Sequence, residues 1–301
     1  MKFSNPYLAL LIGVLGVSSS AILVKFTSAP PVIIAVYRMV FTFAMLLPFT
    51  LKNHYKDFKT FSGRQYLLSF MSGLFLTIHF VSWFTSLKYT SVASATVLVD
   101  THPLFVIVIS FILWREVLPA KAYLGVILAL SGTVILSWGD LHLGANNLTG
   151  DIYALIGAFA VAVYYLCGRY LRENMENLPY TTLVYGFSAL ILLLTVIWGK
   201  YSLTGYTLKD YGVFWGLAFF CTILGHSILN WALKFLPTSS VSVSVLGEPV
   251  IASLLAFFIF QESLTAQQLL GSLLILGGIY YFVRYQAIEH QAAPEVKTTA
   301  S

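Results

Sequence analysis

Ten apolar runs, most of them about twenty residues long, follow one another along this chain and occupy most of its length. A helix of about 20 apolar residues crosses the hydrocarbon core of a bilayer. Only 10% of the residues are charged, whereas a soluble domain carries about 25%. The predicted fold class is therefore an all-α integral membrane protein with ten transmembrane helices. The runs are Pro6–Phe26, Pro31–Leu51, Tyr66–Leu87, Ser91–Trp114, Pro119–Trp138, Asp151–Tyr170, Pro179–Trp198, Tyr211–Leu233, Thr238–Phe260 and Ala266–Arg284.

The basic residues predict how the chain is oriented in the membrane. With the N-terminus placed in the cytoplasm, twelve Lys and Arg residues fall in cytoplasmic segments and four in external ones. Basic residues favour the cytoplasmic side, so both termini are predicted to be cytoplasmic and the location to be the cell (inner) membrane. Because the charges lie between apolar runs and form no patch, we expect no nucleic-acid partner.

The chain also repeats itself at a shift of 146 positions. Pro103 then falls on Pro249 and Glu116 on Glu262, and roughly a third of the positions from Leu87 to Gly132 are identical without a gap. Each repeat holds five spans, an odd number, so the second repeat must be inserted upside down. The predicted architecture is two inverted five-helix repeats, at residues 1–138 and 151–284. An inter-repeat loop, 139–150, separates them, and a disordered cytoplasmic tail, 285–301, follows.

The duplicated motif resembles the drug/metabolite transporter superfamily, and specifically its EamA-type ten-helix exporters. The first copy has Pro103, the sequence Trp-Arg-Glu-Val-Leu at 114–118, Gly125 and Gly132, and the second repeats this pattern from Pro249 to Gly278. Arg38 also looks like an arginine often found in the second span of this family. The resemblance implies a ten-helix fold with a central cavity, cytoplasmic termini and export of small organic solutes. In the earlier spans Pro31 aligns with Pro179 and Val36-Tyr37 with Val184-Tyr185, which places Gly186 at the position of Arg38 in the second repeat. Any role of Arg38 is therefore asymmetric.

Two prolines lie inside apolar runs at equivalent positions, Pro103 and Pro249. A proline inside a helix removes a hydrogen bond and frees the carbonyl four residues earlier, here that of Val99 and of Val245. In lipid, such carbonyls belong against protein or a water-filled cavity. Two readings are compatible: a simple kink that shapes packing, or a pair of symmetric helix breaks that line a solute pathway.

Five ionisable residues lie far from any span end: Arg38, His79, Asp100, His102 and Glu248. A charge at the bilayer centre costs about 2.5–3.5 kcal/mol, so these side chains are expected to face the protein interior. His102 and Glu248 align under the repeat, and we expect Glu248 to bind a cationic group or take up a proton. The alternative is a neutral Glu248 in a structural hydrogen bond. Asp100 is the second candidate for proton coupling.

Helical geometry separates Asp100 from His102. Two residues apart on a continuous helix, they point about 200° away from each other, so only one of them is expected to face the cavity. Arg38 could pair with a substrate carboxylate or with Asp100, and its alternative is to extend to the outer interface.

Histidine and aromatic or amide side chains recur four residues apart in two spans. His79 and Trp83 lie in the third span, and His226 and Asn230 in the eighth. Residues four apart share one helix face, so each pair forms a stripe suited to an amphiphilic solute. The alternative for each histidine is a hydrogen-bonded place in the core. Tyr164 and Tyr165 are weaker candidates.

Other conspicuous residues are given structural roles. Glu116 and Glu262 end spans at the membrane surface, where capping of the next helix or a salt bridge to the loop is favoured over catalysis. The glycines of the repeated motif recur seven residues apart and predict close helix packing.

The predicted function is a secondary active or facilitative transporter that exports small organic metabolites by alternating access. Amino acids or related zwitterions are favoured because an inward arginine accompanies acids at mid-membrane. The sequence lacks an ATP-binding G-x-x-x-x-G-K-[ST] loop and the metalloprotease and hydrolase motifs. No enzyme activity, cofactor or metal is therefore expected.

The predicted partners are a small-molecule solute and the lipid bilayer, with protons as a candidate coupling ion. The alternatives are a non-transporting receptor or assembly component and, less favoured, an intramembrane enzyme. Substrate identity, direction, coupling and oligomeric state stay open.

Overall fold

The computed structural model describes residues 5–138, 148–261 and 264–292, and in these ranges ten helices are long and apolar enough to cross a membrane. This confirms the predicted fold class. Spans 4 and 9 are each broken into two half-helices, called 4a, 4b, 9a and 9b. The helices are Pro6–Val24 (span 1), Pro31–Thr60 (span 2), Gly63–Tyr89 (span 3), Val92–Val99 and His102–Trp114 (4a and 4b), Ala120–Ser137 (span 5), Leu148–Arg172 (span 6), Asn177–Trp198 (span 7), Leu208–Ala232 (span 8), Thr238–Val245 and Glu248–Phe260 (9a and 9b), and Ala266–Ala292 (span 10).

The connection between the second and third apolar runs, Lys52–Gln65, is largely helical. Span 2 continues past the membrane-length run to Thr60, with one bend at His54. Span 3 then begins at Gly63, where the Ser62 hydroxyl accepts from the Gln65 amide and the Gln65 side chain accepts from the Ser62 amide. Such a reciprocal cap satisfies two otherwise unpaired amides. Hydropathy marks where a helix leaves the lipid, not where its hydrogen bonding stops.

The termini of the second repeat also differ from the expectation. Span 6 begins at Leu148, inside the predicted inter-repeat loop. Span 10 continues beyond Arg284 to Ala292, into the predicted tail. The loop residues 139–147, Glu262 and the tail residues 293–301 lie outside the described residues.

Large apolar side chains cover the outside of the bundle. Ile197 is 70% exposed, Leu273 70% and Trp198 90%, and many other leucine, isoleucine and phenylalanine side chains share this outer surface. Soluble monomers rarely expose contiguous apolar patches larger than a few hundred Å². The outer face is therefore suited to hydrocarbon, and the polar residues are left for the interior.

Spans 5 and 10 pack through the glycines of the duplicated motif, as predicted. A Cβ atom at Gly125 would lie 2.8 Å from the Gly278 carbonyl oxygen, and one at Gly132 would lie 2.7 Å from the Gly271 carbonyl oxygen. The first glycine of one span faces the second of the other, so the two helices are antiparallel. The shift of 146 positions exchanges these two contacts, which is the pattern of an inverted repeat.

The other extensive helix pairs obey the same relation. Spans 2 and 7 pack against each other, and the repeat maps this pair onto itself. Span 3 packs on span 6, and its counterpart, span 8, packs on span 1. The two repeats therefore interlock, and the space between them lies at the centre of the bundle, near the helix breaks of spans 4 and 9.

Candidate functional site

Both proline-containing spans are discontinuous, which goes beyond a simple kink. Helix 4a ends at Val99 and 4b begins at His102, while 9a ends at Val245 and 9b begins at Glu248. Each proline is the second residue of its new helix, where the missing N–H costs no hydrogen bond. The carbonyl of Val99, which Pro103 cannot pair, accepts from His102 Nδ1 at 3.2 Å.

A cavity of about 50 Å³ lies between these breaks, inside about 570 Å³ of non-protein space that includes open solvent. Spans 1, 2, 3, 4, 6, 8 and 9 contribute to its wall, so both repeats build it. Its lining residues are Val17, Ser20, Arg38, His79, Phe80, Trp83, Thr96, Val99, Asp100, His102, Val161, Tyr165, His226, Val245 and Glu248.

Most of the side chains predicted from the sequence meet at this cavity. Those that line it are Arg38, His79, Trp83, Asp100, His102, His226 and Glu248. Asn230 is the exception and is fully buried beside it. Its amide nitrogen donates to the Tyr164 hydroxyl and, at 2.8 Å, to the His226 carbonyl oxygen. Of the two weaker candidates, Tyr165 lines the cavity and Tyr164 binds Asn230. Binding of a solute by these residues stays a prediction.

Arg38 is held inside the protein and does not extend to the interface. Its side chain is 1% exposed, Nε donates to Thr222 Oγ1 at 2.8 Å, and Nη1 donates to Ser20 Oγ at 3.3 Å. The guanidinium carbon lies 4.1 Å from the centre of the Phe80 ring. The guanidinium is thus fixed on two hydroxyls and one aromatic face, with its charge at the cavity wall.

Thr222 sets the position of this charge, so its loss should weaken solute binding. The Thr222 hydroxyl donates to the Leu217 carbonyl oxygen at 3.2 Å and thereby turns a lone pair toward Arg38. A hydrogen bond to a charged group contributes about 1.5–3 kcal/mol. In Thr222→Val we expect the solute concentration for half-maximal transport to rise by about tenfold. The control is Thr195→Val, because Thr195 is exposed and its hydroxyl donates to the Ile191 carbonyl oxygen of its own helix. Equal half-maximal concentrations in both variants would contradict the role of Thr222.

Asp100 and His102 both line the cavity, so the prediction that only one of them would face it is wrong. The angle of about 200° holds for a continuous helix, and the helix stops between them. Both residues are 3% exposed. The break turns the chain so that an acid from the end of 4a and an imidazole from the start of 4b reach the same space.

Several buried polar atoms of the cavity wall have no hydrogen-bond partner within the described part of the chain. They include Asp100 Oδ2, the Trp83 indole nitrogen and His226 Nδ1. A buried polar group without a partner costs about 1–3 kcal/mol, so proteins rarely keep several in one place without a reason. The three residues that carry these atoms line one cavity, where a solute or water can supply the partner.

The charges of the cavity are unequal. Among the described residues of its wall, Arg38 is the one arginine or lysine, whereas Asp100 and Glu248 are both acids. Glu248 interacts electrostatically with both Arg38 and Asp100. Glu248 is also the first residue of helix 9b, where the helix dipole favours a negative charge. With all three groups ionised the wall carries one net negative charge, which a solute ammonium group or a proton can balance.

The histidines occupy different environments. His79 Nδ1 donates to the Gly157 carbonyl oxygen at 2.9 Å, and in the neutral ring this leaves Nε2 as an acceptor. His226 packs against Phe80 with ring centroids 5.5 Å apart and planes at 88°. The shift of 146 positions maps Phe80 onto His226, so these two residues face each other across the axis that relates the repeats.

Sequence reasoning did not identify Ser20, Thr222 or Phe80, the three residues that hold Arg38. Thr222 lies in an unusual segment, a π-helix over Leu217–His226 in the middle of span 8. π-helical turns are rare and frequent at functional sites, but no residue pattern in this segment announces one. The run of serines at 18–20 in an otherwise apolar span was a usable signal for Ser20.

Fold and site together define a class: polytopic membrane proteins in which a polar cavity lies where two inverted halves meet. The EamA-like transporter family matches residues 5–138 and 148–284, and the chain belongs to this family.

Its relatives include proteins described as transporters without an assigned substrate. An uncharacterized transporter of Archaeoglobus fulgidus is 25% identical over 245 residues, covering 80% of this chain and 83% of the relative. The uncharacterized transporter YyaM of Bacillus subtilis is 24% identical over 202 residues, covering 65% and 66%. A crystal structure that is 19% identical in sequence superposes with a TM-score of 0.78 over 96% of this chain and 100% of the other, which shows the fold. The chain is therefore a multi-pass membrane protein of a transporter family.

Proposed function

We propose that this protein is a secondary transporter that exports a small zwitterionic metabolite, an amino acid or a related compound, by alternating access. The observation that carries the proposal is that one cavity is lined by the fixed Arg38 guanidinium and by Asp100, whose Oδ2 has no hydrogen-bond partner among the described residues. The excess of basic residues in alternate loops supports cytoplasmic termini in the inner membrane. Outward direction rests on family membership.

Each part of a zwitterion has a complementary group in the wall. Arg38 is suited to a carboxylate, because a guanidinium presents several donors in a fixed plane. Asp100 is suited to an ammonium group, which leaves Glu248 for the coupling proton. Phe80, Trp83 and Tyr165 offer aromatic faces to the rest of the solute. A buried site that leaves its polar groups unpaired without the solute discriminates strongly against analogues lacking the matching group.

Counterflow in proteoliposomes tests the proposal. The purified protein is reconstituted with excess unlabelled solute inside, and labelled amino acids, nucleosides and organic cations are offered outside one at a time. Transient accumulation of labelled amino acids or related zwitterions is the expected result. Accumulation of nucleosides or organic cations alone would overturn the zwitterion class but keep transport. No accumulation with any solute, by protein shown to be folded and inserted, would favour a non-transporting membrane component.

Glu248 is the proposed proton-coupling group, so its neutralisation should separate exchange from pH-driven transport. In Glu248→Gln we expect accumulation driven by a pH gradient to disappear, because glutamine carries no exchangeable charge, whereas counterflow continues. The measurement is solute uptake with and without an imposed pH gradient. Glu176→Gln is the control, because Glu176 is exposed and pairs with Lys234 at 3.4 Å. Unchanged gradient-driven uptake in Glu248→Gln would exclude this role.

A further inference from the structure

The two ends of the cavity are not equivalent, and the difference assigns a role to Asn230. We infer that the polar contacts joining span 6 to span 8 form a lock at the predicted cytoplasmic end of the cavity. This lock must open before a solute can reach the site from that end. The inference rests on the proposed alternating-access function and adds the contacts that hold one of its two states.

The inverted repeat makes the asymmetry visible. Span 8 packs directly on span 6 through its last helical segment, Ser227–Ala232. The repeat relates this pair to spans 3 and 1, and in the described ranges those two helices make no comparable contact. Since the two pairs lie at opposite ends of the cavity, one end is closed by helix packing that the other end lacks.

The half-helices show the same difference. Helix 9a packs on 4b and on span 6, at the end of the cavity where span 6 reaches its C-terminus. The repeat relates the packing of 9a on 4b to packing of 4a on 9b, and the packing of 9a on span 6 to packing of 4a on span 1. Among the residues described, neither 4a with 9b nor 4a with span 1 makes comparable contacts. Two independent sets of helices therefore close the same end. Sequence charge predicts this end to be cytoplasmic, because Arg169 and Arg172 lie at the end of span 6.

Asn230 and Tyr164 form the centre of the lock. Both side chains are fully buried, and the Asn230 amide donates to the Tyr164 hydroxyl. Gly168, one helical turn beyond Tyr164, allows this approach: a Cβ there would lie 2.9 Å from a methyl carbon of Leu233 and 3.0 Å from Asn230 Oδ1. Span 6 thus meets span 8 through a small residue and a buried hydrogen bond between side chains.

Arginines from span 6 complete the closure. Arg172 is 1% exposed, and its Nε donates to the Asn230 backbone carbonyl at 3.2 Å. Arg169 forms an ion pair with Glu116, which follows helix 4b, and its Nη1 donates to Glu116 Oε2 at 3.2 Å. Glu116 thus forms a salt bridge, but with span 6 and not with the loop to which one was predicted. Spans 4, 6 and 8 are therefore tied together at one end by directional contacts.

Among the described residues, the opposite end carries no equivalent of the lock. At the positions corresponding to Tyr164 and Asn230 the first repeat has Ser20 in span 1 and Phe84 in span 3. The packing gives this correspondence, since Gly157 contacts the backbone around His79 and Trp83 as Gly13 contacts Gly225 and Leu229. A serine and a phenylalanine cannot form the amide–phenol hydrogen bond. Breaking the lock therefore removes a contact that the first repeat lacks, and it should shift the population toward the state open at the predicted cytoplasmic end.

Thiol labelling tests the lock without needing the solute. Val245→Cys, on 9a at the cavity wall, is placed in a chain whose Cys167 and Cys221 are alanine. A membrane-impermeant maleimide is applied to vesicles of each orientation. Without further changes we expect labelling mainly from the predicted periplasmic side. Tyr164→Phe and Asn230→Ala should each raise labelling from the cytoplasmic side by about fivefold, the effect of losing roughly one buried hydrogen bond.

Thr77→Val is the matched control. Thr77 is also buried, and its hydroxyl lies 2.9 Å from Ser188 Oγ, but this contact joins spans 3 and 7. The repeat relates that helix pair to spans 8 and 2, which also pack together, so the pair does not distinguish the two ends. Its loss should leave the labelling unchanged. The inference is overturned if Tyr164→Phe has no effect, or if Thr77→Val opens the cytoplasmic side equally. The labelling assay needs no solute, so its outcome can be distinguished from a failure of the counterflow experiment that tests the proposed function.

Discussion

Replacing Arg38 with alanine should abolish transport while leaving a folded, inserted protein. The guanidinium is the one arginine or lysine charge at the described cavity wall, and Asp100 and Glu248 would be left without a cationic neighbour there. Removing one member of a buried charge group costs about 3–5 kcal/mol, which corresponds to roughly 150-fold to 4,000-fold in an equilibrium constant. We expect counterflow to fall by at least about a hundredfold. Initial rates at matched protein density measure the effect.

Two further variants separate charge from position at this site. Arg38→Lys keeps the charge but cannot bind Thr222 and Ser20 while lying flat on Phe80, so it should recover only a small part of the activity. Arg64→Ala is the control for loss of an arginine on an aromatic ring, because Arg64 is exposed and lies 5.0 Å from the Tyr170 ring centre. Transport at the unaltered rate in Arg38→Ala would remove Arg38 from the site.

A side chain at Gly271 should disrupt the pairing of spans 5 and 10. A Cβ at this position would lie 2.5 Å from the Leu136 backbone nitrogen and 2.7 Å from the Gly132 carbonyl oxygen. Backbone atoms cannot turn aside as a flexible side chain can, so the helices would have to separate. Overpacking costs about 1–3 kcal/mol and occasionally more, and we expect Gly271→Val to lie at or above the upper end. The thermal unfolding midpoint of the detergent-solubilised protein and its yield as a monodisperse peak should both fall sharply.

Gly277 provides the matched control on the same helix. A Cβ there would meet no atom within 4 Å, so Gly277→Val adds the same side chain without a clash. Its unfolding midpoint should stay close to that of the unaltered chain. If both variants unfolded at the same temperature, the glycines would have no special part in holding these spans together.

The fold was predictable because the bilayer imposes a strong and simple constraint. Apolar runs of membrane length predicted the ten spans, and the repeated glycines predicted the packing of spans 5 and 10. The helical ends were predicted less well. Span 2 continues to Thr60 through lysines and a histidine, since a helix needs backbone hydrogen bonds and not lipid.

The candidate site was predicted in composition but not in geometry. Residues costly to bury, such as Arg38 and Glu248, pointed to the interior, and the structure brings them to one cavity. The relation between Asp100 and His102 could not be obtained from helical periodicity, because the helix breaks between them. Asn230 shares a helical stripe with His226 in the sequence, yet it binds Tyr164. Such differences arise from tertiary contacts that a single segment does not encode.

The cavity departs from the symmetry of the fold where function requires it. Gly186 occupies the position equivalent to Arg38, and a Cβ there would lie 2.8 Å from the Phe43 ring. An arginine at 186 would have no room, because an aromatic side chain from span 2 fills the space. The first repeat therefore supplies the cation, and Asp100 from that repeat and Glu248 from the second supply the acids. Alternating access needs symmetry in the scaffold, whereas recognition of an asymmetric solute needs it to be broken in the site.

The central claim is that the transported solute occupies the cavity between the broken spans. Protection of a cavity thiol tests it most directly, using Thr96→Cys in the chain whose Cys167 and Cys221 are alanine. The solute identified by counterflow is added at increasing concentration, and the rate of maleimide labelling is measured. Slower labelling, with half-protection at the concentration that gives half-maximal counterflow, is the predicted result. Labelling that is unaffected at saturating solute, by protein that still transports it, would place the binding site elsewhere and contradict the account.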